Sequence, residues 1–180
     1  MDRKKIINRV IGKLTSTWYH GRSNKSSNFD LKYTGKGNDE DGPGFYFTKS
    51  KESAEQYAYP NGVVLSVTLN SPRLLKGNAT LDEVKELIEK APRYQEVLSE
   101  DYNMNINTVA HLFMKQKTRK DVFEQIWYDF YHSKGNTPAY LRKLIDLGYD
   151  GHLGTRMPNT IIIYNPNVIK VIAKDNYVSE

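Results

Sequence analysis

The chain has 180 residues, of which 38% are hydrophobic and 26% charged, and it contains no cysteine. That length suits one domain with a core large enough to stand without disulfides, and the missing cysteine excludes a disulfide scaffold, a thiolate-ligated metal and a cysteine nucleophile. The 26 basic residues outnumber the 21 acidic ones by a net charge of +5, a small pull toward acidic partners or nucleic acid.

Residues 1–15 read as an amphipathic helix, with Asp2 as cap and Ile6, Ile7, Val10, Ile11 and Leu14 at helical spacing. The β-branched and aromatic run from Thr15 to His20 predicts a short strand. Residues 21–44, rich in Gly, Ser, Asn and Asp, predict a long polar loop of the kind that serves function. Phe45 to Thr48 predicts a second strand. Ser50 opens a helix that carries Ala54, Tyr57 and Ala58 and stops at Pro60-Asn61-Gly62. Val63 to Leu69 predicts a buried strand.

From 75 to 147 the pattern turns helical. Thr80-x-x-Glu83 is a capping box ahead of Val84, Leu87 and Ile88. Further helical stretches carry Val109, Leu112 and Phe113, then Val122, Ile126, Trp127 and Phe130. The last begins at Thr137-Pro138 and ends at Gly148. Strands return at Thr160–Tyr164 and Val168–Ala173. Strands at both ends with helices between them imply an α+β fold in a single domain over residues 1–180, with 75–147 as a helical insertion. No apolar run approaches the roughly 18 residues of a membrane helix. No apolar signal segment follows the charged Met1–Lys5. The expectation is therefore a cytoplasmic protein that does not enter a membrane.

Most familiar chemistries find no support. No histidine pair or histidine–carboxylate cluster has metal-binding spacing, so no metal site is expected. Neither a phosphate-binding Gly-x-x-x-x-Gly-Lys-Ser/Thr loop nor a Gly-x-Ser-x-Gly elbow is present. Asp39-Glu40-Asp41 reads as a solvated charge run. Lys115, Lys117, Arg119 and Lys120 form a basic cluster, solvated or in contact with a phosphate backbone. His111 and His132 fall among helical aromatics and read as structural, while His152 in a turn stays open. His20 ends a strand and precedes a glycine and a polar loop, where functional side chains collect. Tyr46 stands on the opposite face of its strand from Phe45 and Phe47, and Tyr57 follows 11 residues later on the next helix. Two such tyrosines can clamp a flat ring, or simply fill the core.

In order along the chain, Trp18-Tyr19-His20-Gly21, then Gly44-Phe45-Tyr46-Phe47-Thr48 with Ser53, Ala54 and Tyr57, then Asn159-Thr160-Ile161-Ile162-Ile163-Tyr164 resemble the three motifs of the ADP-ribosyltransferase family. The resemblance is to its poly(ADP-ribose) polymerase and diphtheria-toxin branch. Gly148-Tyr149-Asp150-Gly151 and Asn165-Pro166-Asn167-Val168-Ile169 resemble stretches of small bacterial and phage members. The resemblance covers residues 17–69 and 147–173 and implies a split antiparallel β-sheet.

It implies site roles as well. NAD would be the substrate, with His20 on a ribose hydroxyl and Gly21 offering its backbone to the nicotinamide carboxamide. Tyr46 and Tyr57 would sandwich the nicotinamide ring, and Arg22 could reach a phosphate. The family's glutamate falls on Thr160, or on Asn159 if the register slips by one. Neither can carry a negative charge, so only a single ADP-ribose is expected to be transferred. Asp150 is the nearest candidate for a carboxylate from elsewhere. The serine that bonds the amide falls on Ala54, with Ser53 beside it.

By analogy with small bacterial and phage members, the expected function is mono-ADP-ribosyl transfer to a host protein side chain or nucleic acid, in the host cytoplasm if the chain is viral. The alternatives are an inactive relative that binds NAD or a partner protein, and a basic nucleic-acid-binding module.

Overall fold

The computed structural model describes residues 17–36, 39–98, 105–115 and 118–178. The helix expected over residues 1–15 lies outside them. Six strands, β1 (Trp18–Arg22), β2 (Phe45–Thr48), β3 (Val63–Leu69), β4 (Gly151–Leu153), β5 (Thr160–Ile163) and β6 (Ile169–Asn176), form one sheet in the order β4-β5-β2-β1-β3-β6. Every neighbouring pair is antiparallel. Helix α1 (Lys51–Ala58) joins β2 to β3, and α2 (Leu81–Glu89), α3 (Tyr94–Val97), α4 (Ile106–Phe113), α5 (Arg119–Phe130) and α6 (Thr137–Asp146) lie between β3 and β4. The α+β expectation holds.

Alternation along the strands divides the sheet into two faces. Trp18, Phe45, Phe47, Leu65, Val67, Ile161 and Ile163 are buried on the side of α2–α6, where Leu87, Ile126, Phe130 and Leu141 complete the main core. The other face is smaller: Ala54 and Ala58 of α1 pack on Val64, with Tyr19 and Tyr177 at the margin. Local chemistry fixes the helix starts. The Ser50 hydroxyl accepts from the Ser53 N–H and caps α1. Thr80 and Glu83 close the expected capping box on α2.

The sheet is continuous on both flanks and nearly divided in the middle. β1 pairs with β3 over five residues and β2 with β5 over four, yet β1 and β2 are registered only at Tyr19 opposite Thr48. Past that point a side chain replaces the ladder: the His20 Nδ1–H donates to the Tyr46 carbonyl at 2.7 Å.

Three elements depart from the sequence pattern. β1 spans Trp18–Arg22 and so runs two residues past His20, while Thr15 and Ser16 lie outside the described residues. The turn expected at 148–151 continues into strand β4, which carries His152 buried. The polar segment 21–44 is not a free loop: Leu31 opens a short 3-10 turn and is buried, Phe29 packs on the main core, and Thr34 and Asp41 are buried. Two apolar side chains and one buried carboxylate anchor it, too few to register in a composition dominated by polar residues.

Candidate functional site

The opening between β1 and β2 gathers four of the residues singled out from the sequence. His20 is half-buried, with its ring against Phe29 at 5.2 Å and Phe47 at 5.3 Å between centroids. Burial first, and the Arg22 cation second, lower its pKa to about 4, against the opposing effect of the Tyr46 carbonyl. The ring is therefore neutral near pH 7. A carbonyl can only accept, so the proton sits on Nδ1 and the Nε2 lone pair is left to accept. The Arg22 Nη2 donates to that nitrogen at 3.1 Å.

Tyr46 projects from the opposite face of β2 to Phe45 and Phe47, as the alternation predicts. Its hydroxyl donates to the Gly42 carbonyl at 2.6 Å and accepts from the Asp41 N–H at 3.1 Å, which fastens the ring to the end of the polar segment. Burial raises the Tyr46 pKa well above the ordinary phenol value.

Gly21 lies under α1. A Cβ there would sit 1.7 Å from the Ala54 carbonyl oxygen and 3.1 Å from the Tyr57 Cβ, so only glycine lets the helix close on the strand. Tyr57 stands directly over this contact and is 60% exposed, free to meet a ligand from solvent. Its ring makes no contact with that of Tyr46, which is tied to the 41–42 turn. Ser53 is one helical turn from Tyr57 on the same flank of α1 and half-buried. A shallow groove lined by Glu52, Glu55, Gln56, Tyr59 and Tyr177 lies on the outer side of α1 and includes none of the predicted residues.

Thr160 pairs with Thr48 on β5, two residues from Ile162, the partner of Tyr46. It is 6% exposed. What surrounds it was not legible in the sequence. Asp41, read there as part of a solvated charge run, is fully buried. Its carboxylate accepts from the backbone N–H groups of Thr155, Arg156 and Met157 and from the Thr155 hydroxyl, all at 2.8–3.0 Å. Lys120 adds an ion pair at 3.5 Å. Burial pushes the Asp41 carboxyl up, but these N–H and O–H donors outweigh it and hold the group well below the usual carboxylate range.

His152 completes the clasp. Its Nε2–H donates to the Asp41 carbonyl at 2.6 Å and its Nδ1 accepts from the Tyr164 hydroxyl. Burial lowers its pKa to about 4. Asp39, two residues before Asp41, is different. Its Oδ2 is buried with no hydrogen-bond partner among the described residues, and burial raises the carboxyl to about 6. Only one signal pointed to this cluster: Asp, Gly and Pro crowd immediately before a strand.

Asp150 is not a spare carboxylate. It accepts from the Arg73 N–H at 2.8 Å and the Asn165 side-chain amide at 2.7 Å, which ties the start of β4 to the end of β5. Two residues of the basic cluster are paired within the fold. Arg119 bonds Glu83 and the Lys76 carbonyl, and Lys120 pairs with Glu124 and Asp41; Lys117 lies outside the described residues. Among the described residues no group of three histidines or carboxylates is placed to hold a metal ion, and no helix is long and apolar enough to cross a membrane.

A family model described as ADP-ribosyltransferase in polyvalent proteins matches residues 14–179. The chain belongs to the ADP-ribosyltransferase family. No curated protein and no solved structure matches it. The family match also runs through α2–α6, which the motif resemblance left out. ADP-ribosyltransferases use NAD as substrate. The β1–β2 opening holds the His20 imidazole and the Arg22 guanidinium, with an exposed aromatic ring, Tyr57, near Gly21.

Proposed function

We propose that the chain is an NAD-dependent mono-ADP-ribosyltransferase that modifies a macromolecule, a protein side chain or a nucleic-acid base, as a bacterial or phage effector. The observation that carries this reading is the His20 imidazole, held neutral in one tautomer by the Tyr46 carbonyl, with its Nε2 left as an acceptor that Arg22 bonds. Such a nitrogen accepts a hydrogen bond from a ribose hydroxyl without shedding a proton of its own. Gly21, next along β1, lies under α1 with the exposed Tyr57 beside it, which supports a place for the nicotinamide.

The reaction breaks the bond between the nicotinamide nitrogen and the ribose anomeric carbon. The electron pair leaves with nicotinamide, which becomes neutral, and the ribose carbon becomes oxocarbenium-like. An acceptor nucleophile then attacks that carbon and loses its proton to solvent. The protein's contribution is orientation and stabilisation of the developing charge. Thr160 can offer only a hydroxyl beside the ribose, which fits transfer of one ADP-ribose unit rather than a chain.

Thr160 also supports a second reading, an inactive relative that binds NAD or a partner. The same experiment separates the two. Purified protein is incubated with labelled NAD and host lysate, and released nicotinamide is measured. A labelled macromolecule together with free nicotinamide supports transfer, and loss of both in the folded His20→Ala and Tyr46→Ala variants ties transfer to this site. A raised melting temperature in NAD without label or nicotinamide favours the inactive reading. No shift and no label removes both.

A further inference from the structure

Arg22 holds the one ring nitrogen of His20 that a ligand could use. We propose that Arg22 is a phosphate-operated gate on the His20 subsite: the guanidinium bonds the imidazole's acceptor nitrogen and yields it to ligands whose phosphates take over the guanidinium. The proposal rests on the NAD reading above.

Three observations support it. First, the contact is specific: Nη2 faces His20 Nε2 at 3.1 Å, while Nη1 donates to the Asn28 carbonyl at 2.9 Å and to that of Ser26 at 3.4 Å. The guanidinium lies 4.6 Å from the centre of the Phe29 ring, which itself packs edge-on to His20. The start of the polar segment is thus folded around this one side chain.

Second, every acceptor it meets is neutral. Two peptide carbonyls and an imidazole surround a partly buried cation, and no carboxylate among the described residues pairs with it. Burial lowers the Arg22 pKa, with no anion to offset the effect. Third, the Arg22 Nε–H is buried and has no acceptor among the described residues. A guanidinium with a neutral shell and an idle donor is suited to an anion, and phosphate oxygens match its fork.

The consequence is selectivity. Nicotinamide riboside, a pyridinium cation with no phosphate, must displace Arg22 from His20 and offers the guanidinium no anion in return. A dinucleotide displaces it and supplies two phosphates, so binding at the ribose and release of the gate are coupled.

The test is calorimetric titration of nicotinamide riboside and of a carbocyclic, non-cleavable NAD analogue into the wild type, Arg22→Ala and Arg22→Lys. Melting curves serve as the folding control. In Arg22→Ala, riboside is expected to bind about tenfold tighter and the NAD analogue about tenfold weaker, with Arg22→Lys between. The His20 ring resonances should move in Arg22→Ala with no ligand present. Riboside affinity that is unchanged or weaker in Arg22→Ala overturns the gate, as does an unchanged affinity for the analogue or an unmoved His20 resonance. Failure of both ligands to bind the wild type and the folded Arg22→Ala variant removes the NAD reading together with the gate, whereas equal binding to both proteins removes the gate alone.

Discussion

Asp41 and Thr160 meet across Gly154: the Asp41 Oδ2 and the Thr160 Cβ lie 3.1 and 3.2 Å from the point where a Cβ would sit on that glycine. The strand position at which the family motif carries a glutamate therefore has a carboxylate beside it, one that arrives from the loop before β2 and is consumed by backbone donors. This carboxylate is a clasp that fixes the 39–42 turn, and with it the Tyr46 hydroxyl, to the 154–157 loop.

Asp41→Asn should loosen that clasp. The amide keeps the shape but loses the charge and turns one acceptor into a donor that faces N–H groups. The expected cost is about 3 kcal/mol, because the partners stay buried while their acceptor is lost. A urea melt with unchanged slope and a lower midpoint checks this, and a midpoint within error of wild type would show the clasp to be idle.

Thr160→Glu should not restore a catalytic acid. The site is 6% exposed, and the new carboxylate would press against the ionised Asp41. Two like charges in one buried site force one to stay protonated. A loss of about 2–4 kcal/mol is expected, with no gain in ADP-ribose chain length. Thermal melting and gel analysis of products read both.

Acidification should destabilise the fold through His20 and His152. Both are lowered from 6.5 to about 4 in the folded protein. The unfolded chain therefore binds more protons between those values, and stability is present above pH 6.5 and is lost as the pH falls toward 4. Each group contributes up to about 3 kcal/mol. His152→Gln should flatten its share of this dependence in denaturant melts recorded from pH 7 to 4.

Asp39 has the opposite sign. Its carboxyl is raised from 3.8 to about 6, so the folded state binds the extra proton and stability declines as the pH rises across that window. Asp39→Asn should stabilise the protein by about 1 kcal/mol at pH 7, water at this half-buried group screening the rest. At pH 4 the variant and wild type should melt together. Destabilisation at pH 7 would mean that Asp39 has a partner it needs.

Gly21→Ala should separate α1 from β1. The added methyl meets a backbone oxygen at 1.7 Å, so the helix must shift as a unit. A cost of about 2–4 kcal/mol is expected. NAD binding should fall with it, because Tyr57 travels with the helix. Calorimetry on the folded fraction tests the second part.

Chemistry that acts over a few neighbouring residues was legible in the sequence. The alternation of Phe45, Tyr46 and Phe47 fixed which face of β2 carries the phenol. The Thr80 and Glu83 box fixed the start of α2. That Gly21 lies under α1 was not legible, because the Ala54 carbonyl that it meets comes from 33 residues away. β4 was missed because three residues after a glycine turn carry too little pattern, and their pairing with β5 is long-range. Asp41 was misplaced for a related reason: a carboxylate next to two other acids looks solvated until a distant loop surrounds it with N–H groups.

By itself, then, the sequence determined the family and the α+β order of elements, because motif residues and hydrophobic periodicity depend on residue type and short spacing. Only the tertiary structure decided what each side chain faces. The seam between β1 and β2, the tautomer of His20, the Arg22 contact and the burial of Asp41 all depend on groups brought together from distant parts of the chain. Solvation and hydrogen bonding at such points are set by the assembled surroundings, which no local pattern encodes.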